Sequence, residues 1–324
     1  MKRLISCALA ALLLVLGPPA ARAQDAWPSK PVHLVVPQAA GSEVDITTRR
    51  LAGRLSALLG QPFIVDNRAG ATGAIASEYV AHAPADGYTL LVGTLAPLVL
   101  NTFLRNSLRY DPAHDFAAVA SIIASPFLVV ANRNAPFTNL AQLISYDKAN
   151  PGELSFASDG VRTLGGLTGE TFNRIAGTKL VQVPYSATSA ALIDTIAGRT
   201  QLAFISPSLA LAAIRNGDLR AIGVTGKRVD FLPGVPSIAE AVPGFGATTW
   251  IMLVAPKATP RDVIRDLNTT VNTVQHEIGW IREQRALNGQ GVKEAGDPAQ
   301  LDDFLAAERS RWGGLIRSLG IQPD

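Results

Sequence analysis

The 324-residue chain has one cysteine, four histidines and few charges, with only 17% of its residues Asp, Glu, Lys or Arg. One cysteine excludes a disulfide framework and any cysteine-based zinc cluster. Recognisable catalytic motifs are missing too. There is no Gly-x-Ser-x-Gly elbow, no Walker A loop and no His-Glu-x-x-His. His276-Glu277 is followed by Ile278-Gly279-Trp280, so the zinc spacing fails. His33, His82, His114 and His276 are scattered, and each reads as a structural or surface residue. Gly244-Phe245-Gly246 lacks the third glycine of a dinucleotide fingerprint. No metal and no cofactor is expected. Catalysis is poorly supported, although an exported hydrolase using a cleft serine such as Ser158 stays open as a rival reading.

Long apolar runs are scarce as well, and the longest is at the start. Met1-Lys2-Arg3 is basic, Leu4 to Leu16 is an apolar run broken only by Ser6, and Gly17-Pro18-Pro19 ends it. Ala21-Arg22-Ala23 is a small-x-small cleavage site. This is the layout of a secretory signal peptide over residues 1–23. The run is too short to span a hydrocarbon core of about 30 Å. Cys7 would leave with it. So would Lys2, Arg3 and Arg22, which account for the whole formal charge of +3. The mature chain is then neutral and free of cysteine, and the basic pI gives no support to nucleic-acid binding. The expectation is a soluble, exported protein.

The remaining length suits two domains of roughly 150 residues. Short apolar runs alternate with helical patterns. Val32–Val36, Phe63–Val65, Tyr88–Val92, Phe127–Ala131, Leu154–Phe156, Gln201–Ile205, Leu219–Val224 and Trp250–Ala255 read as strands. Helical faces lie at 44–59, 74–82, 140–148, 190–197, 209–215, 261–277 and 300–317. Nearly continuous apolar strands separated by helices predict parallel α/β sheets covered on both faces. Ligands of such sheets bind at the carboxyl ends of strands.

Four strand-to-helix loops are therefore the candidate site. Residues 36–45 run Val-Pro-Gln38-Ala-Ala40-Gly41-Ser42-Glu43-Val-Asp45. Small residues there let a ligand approach the backbone, and the helix N-terminus favours an anion. A plain capping box, with Ser42 as cap and Asp45 returning the bond, is compatible with this. The other loops are 66–74, Gly93-Thr94-Leu95, and Ser158-Asp159-Gly160-Val161-Arg162-Thr163.

At these loops the chain resembles the substrate-binding proteins of tripartite tricarboxylate transporters, the TctC or Bug family. The matching motifs are Trp27-Pro28-x-Lys30-Pro31, Pro37-x-Ala39-Ala40-Gly41-x-x-x-Asp45, Asn67-Arg68-x-Gly70-Ala71-x-Gly73 and Pro84-x-Asp86-Gly87-Tyr88. Further ones are Tyr110-Asp111-Pro112-x-x-Asp115-Phe116, Val183-Pro184-Tyr185, Leu232-Pro233-x-Val235-Pro236-Ser237 and Ala255-Pro256-x-x-Thr259-Pro260. The resemblance implies an α/β, two-lobed type II periplasmic binding protein with two mixed or parallel sheets and two crossover strands, near 121–126 and 248–253. Lobe 1 would be residues 24–124 with 248–324, and lobe 2 residues 125–247. It implies a monomeric receptor for a small carboxylate that closes by hinge motion and serves membrane permease subunits. A sensory receptor for a signalling partner is the alternative.

Departures from the family pattern fall in the expected cleft. Gln38 replaces an aromatic, Glu43 stands where a small hydroxyl residue is common, and Tyr185 is followed by Ser186-Ala187 rather than Lys-Gly. A common aspartate becomes Ile205, next to Ser206. Two readings of these charges are open. Arg162 grips a ligand carboxylate while Glu43 or Asp159 receives an amine, giving a zwitterionic ligand. Otherwise Glu43 and Arg162 face solvent or pair, and the backbone takes a simple carboxylate. The expected ligand contacts are Gln38, Ala40, Gly41, Ser42, Glu43, Asp45, Thr94, Ser158, Asp159, Arg162, Thr163, Tyr185 and Ser206.

Overall fold

The computed structural model describes residues 27–158, 160–161, 163–288 and 296–323. The expected signal peptide and the candidates Asp159 and Arg162 lie outside the described residues.

The strands are β1 (Val32–Val36), β2 (Phe63–Asn67), β3 (Thr89–Thr94), β4 (Phe116–Pro126), β5 (Leu128–Asn132), β6 (Ser155–Ser158), β7 (Val181–Pro184), β8 (Leu202–Ile205), β9 (Leu219–Val224) and β10 (Thr248–Pro256). They form two five-stranded sheets, ordered β2-β1-β3-β10-β4 and β7-β6-β8-β5-β9. Each sheet is buried on both faces. In the first, Leu34, Val36, Leu90, Val92 and Leu253 pack under the Glu43–Leu59 and Arg261–His276 helices. Their neighbours Val35, Leu91, Met252 and Val254 point the other way, toward Val80, Leu98, Leu305 and Trp312. The second sheet alternates likewise. Val129, Phe156, Leu202 and Phe204 share one core, and Leu128, Val130, Ala157 and Ala203 the other.

The parallel pairing read from the apolar runs covers part of each sheet, and the mixed arrangement that the resemblance allows describes the whole. β1 runs parallel to β2 and β3, and β6 parallel to β7 and β8. However, β10 is antiparallel to β3 and β4, and β5 is antiparallel to β8 and β9. The sheets are mixed. A continuous apolar run reports burial on two faces; it does not report strand direction. Both sheets share one pattern: three parallel strands, then one reversed strand, then a fifth.

The Glu43–Leu59 helix begins at Ser42, whose hydroxyl accepts the Asp45 N–H at 3.2 Å, and stops at Gly60 with φ 70°. The Leu164–Ala176 helix was not expected from the sequence. Gly165, Gly166 and Gly169 weaken its helical signal. Gly169 is there for close approach: a Cβ at this position would sit 2.2 Å from the buried Phe156 ring.

The chain passes between sheets twice, side by side. β4 ends at Pro126 and β5 starts at Leu128, while β9 ends at Val224 and β10 starts at Thr248. Pro126 pairs with Thr248. The buried Thr225 ties the two passages together. Its hydroxyl accepts the Phe127 N–H at 2.8 Å and donates to the Ala247 carbonyl. Its backbone N–H donates to the Phe127 carbonyl at 2.9 Å. Among the described residues, no helix is long and apolar enough to cross a membrane.

Candidate ligand-binding cleft

Where the chain passes between the sheets, a cleft of about 510 Å³ opens at the carboxyl ends of their strands. Gln38 follows β1, Thr94 ends β3, Thr163 and Leu164 follow β6, Thr188 follows β7, and Ser206 follows β8. Ile123, Phe127, Thr249, Trp250 and Ile251 line it from the crossing strands. Trp250 is buried, and its indole N–H donates to Glu308 at 3.4 Å. Five of the sequence candidates line this space: Gln38, Glu43, Thr94, Thr163 and Ser206.

Four helices point their N-termini into the cleft. Glu43 is the first residue of the Glu43–Leu59 helix, and Thr163 is the N-cap of Leu164–Ala176. Thr188 is the first residue of Thr188–Ile196, and Ser206 the N-cap of Pro207–Arg215. Thr163 caps its helix by accepting the Gly166 N–H at 3.2 Å. Neither Ala187 nor Ser206 supplies a side-chain cap. Each N-terminus carries about +0.5 of a charge and N–H groups that the helix itself cannot satisfy. No lysine, arginine or histidine is among the described lining residues. Among the described residues, positive potential in the cleft thus comes from backbone. Hydroxyls of Thr72, Thr94, Thr163, Thr188, Ser206 and Thr249 surround it, with apolar surface from Ala96, Phe127, Leu164 and Leu209.

Glu43 is the one ionisable side chain among the described lining residues. It keeps access to water at the cleft mouth, yet the surrounding protein desolvates it and raises its pKa.

The remaining described candidates are not among the lining residues, and most have structural work. Asp45 is buried under the first loop. It accepts from the Gly41 N–H and the Asn67 amide, both at 2.9 Å, and from Arg49 Nε at 3.1 Å. The expected return bond of the capping box therefore lands on Gly41, one residue before the cap. Burial alone would raise the Asp45 pKa, but these hydrogen bonds and the Arg49 charge outweigh it and lower the value. Ser42 is the cap itself, while Ala40 and Gly41 are exposed outside the lining. Ser158 is buried, donating to the Gly160 carbonyl at 3.2 Å and accepting from Gln182 Nε2 at 2.7 Å. Among the described residues, no histidine or carboxylate bonds to it. Tyr185 donates to Asp194 at 2.8 Å.

Thr72 lines the cleft without having been singled out. It and Ala71 adopt φ of 53° and 47°, the left-handed region that residues with a Cβ seldom occupy. The Asn101 amide, bonded to the Thr72 carbonyl at 3.1 Å, helps hold the turn. The 66–74 loop was legible as part of the site, but this residue within it was not, because backbone conformation brings it in.

Comparison with known proteins gives a consistent answer. Residues 47–321 match the family described as "Tripartite tricarboxylate transporter family receptor", TctC. A UPF0065 protein from the tcbD-tcbE intergenic region of Pseudomonas sp. strain P51 is 38% identical over 314 residues, 95% of this chain and 92% of its own length. Among solved structures, R. palustris Rpa4515 with adipate has a TM-score of 0.77 at 34% identity, covering 92% of this chain and all of its own. MatC from Rhodopseudomonas palustris with bound malate has a TM-score of 0.72 at 29% identity, covering 90% of this chain and all of its own. Motifs, mixed two-sheet fold and extent of match agree: the chain belongs to the TctC family of tripartite tricarboxylate transporter receptors.

Proposed function

We propose that this protein is a periplasmic receptor that captures one small carboxylate in the cleft between its sheets and hands it to the permease of a tripartite tricarboxylate-type transporter. Convergence of four helix N-termini on a cleft without a described basic side chain carries the reading. Backbone N–H groups bind a carboxylate through charge-assisted hydrogen bonds, with no side-chain cation needed. Relatives captured with adipate and malate support the ligand class. In this reading residues 24–124 with 248–324 form one lobe and 125–247 the other. Gln38, Glu43, Thr94, Thr163 and Ser206 face the ligand, the protein acts as a monomer, and the ligand leaves chemically unchanged. Isothermal titration tests it with adipate, 3-phenylpropionate, phenylalanine and the uncharged 3-phenylpropan-1-ol. At least one carboxylate binds with 1:1 stoichiometry, and the alcohol does not. Binding of the alcohol as tightly as its acid, or binding of none, overturns the carboxylate reading.

A further inference from the structure

Among its described residues, the cleft is electrically lopsided. Three of its four helix N-termini, at Leu164, Thr188 and Pro207, belong to the stretch that builds the second sheet. The fourth begins with Glu43, so that N-terminus already has an anion at its first position. The Glu43 side chain makes no hydrogen bond or ion pair with any described residue. A helix N-terminus favours a nearby carboxylate, which helps keep Glu43 charged in a cleft that disfavours charge. Between these poles lie apolar surfaces, including Leu209, which is 39% exposed although it lines the cleft.

We propose that the cleft selects a zwitterion with an apolar body, its carboxylate on the helix N-termini of the second sheet and its protonated amine facing Glu43. The inference rests on the carboxylate-receptor reading and names the ligand class within it. A dicarboxylate long enough to cross the cleft would place its second charge against Glu43. Like charges about 6 Å apart at an effective dielectric near 20 cost on the order of a hundredfold in affinity, and water at the mouth reduces this toward tenfold. An ammonium at the same place gains by a similar factor. The apolar body covers surface that a short polar acid leaves wet.

Titrations of the wild-type protein and of Glu43→Gln with phenylalanine, leucine, 3-phenylpropionate, adipate and malate decide it. Losing the Glu43 charge from the first turn of its helix costs less than about 1 kcal/mol, so the variant should melt close to the wild type. In the wild type, phenylalanine or leucine binds at least tenfold more tightly than 3-phenylpropionate, adipate or malate. Glu43→Gln weakens the amino acid at least tenfold and strengthens adipate. Tighter binding of adipate, malate or 3-phenylpropionate by the wild type overturns the inference and leaves the carboxylate reading standing. So does amino-acid binding that Glu43→Gln leaves unchanged. A wild-type protein that binds none of the five overturns both.

Discussion

Replacing Thr225 by valine removes one hydroxyl at the point where the chain twice passes between sheets. Shape is preserved, but two hydrogen bonds are lost: the one accepted from the Phe127 N–H at 2.8 Å and the one donated to the Ala247 carbonyl. Thr225 is 1% exposed, so water does not readily replace the lost partner. Leaving a buried polar group unpaired costs about 1–3 kcal/mol. Two such groups, one of them partly relieved by local shifts, give a loss of about 2–4 kcal/mol. Thr225→Ser is the control, since it keeps the hydroxyl and gives up one methyl, a loss of about 1 kcal/mol. Urea unfolding with far-UV circular dichroism reads the difference as a shift in midpoint at constant slope. A Thr225→Val midpoint equal to that of Thr225→Ser would refute the assigned role of the hydroxyl. A changed slope would instead point to loss of all-or-none unfolding, with the two sheets melting apart.

Asp45→Ala strips the first loop of its anchor, leaving the Gly41 N–H without its partner and the Asn67 amide nitrogen with the Gln38 carbonyl alone, and should destabilise by about 1–3 kcal/mol. Asp45 also has a pH signature. Its folded pKa is lowered, so its contribution is present above the unfolded value near 4 and is lost as pH falls through the folded one. Asp45→Asn should therefore flatten the stability profile below about pH 4, measured by urea midpoints across that range. Gly169→Ala drives a methyl into Phe156, which stacks edge-on against Phe204 in the cleft at 5.5 Å. A stability loss of about 1–3 kcal/mol and weaker ligand binding should appear together in thermal melts and titrations. The exposed Glu240 carboxyl is held at about 2, chiefly by its hydrogen bonds from Arg228, with help from the Ser237 N–H. In Arg228→Ala, carbon-13 NMR should find it titrating closer to the ordinary carboxylate range.

The sequence showed most of the elements because most strands are apolar throughout and most helices are punctuated. Gly60 and Gly217, for example, end their helices in the left-handed conformation. What it hid has physical reasons. Strand direction in β5 and β10 leaves no trace when both faces are buried. The Leu164–Ala176 helix is disguised by glycines that packing against Phe156 requires. β7 is short and partly exposed, so it lacks the apolar run that marks the other strands. The loops after β1, β2, β3 and β6 were legible as the cleft because strand-to-helix connections carry sites in α/β sheets. Within them, Asp45 and Ser158 have the residue types of ligand contacts, yet their hydrogen-bond capacity is taken up by neighbouring loops and strands. Phe127, Leu209 and Thr249 reach the cleft through topology that local spacing does not encode.

The helix N-termini facing the cleft also bear on how such a receptor can change over time. Main-chain N–H groups persist through almost any substitution, proline aside. Mutation at Gln38, Glu43, Phe127 or Leu209 can therefore reshape what the cleft accepts while the helices Leu164–Ala176, Thr188–Ile196 and Pro207–Arg215 keep offering the same donors. In the mode of binding proposed above, acid capture and ligand identity are held by separable parts of the molecule. A lineage built this way can move from one organic acid to another without passing through a form that binds none.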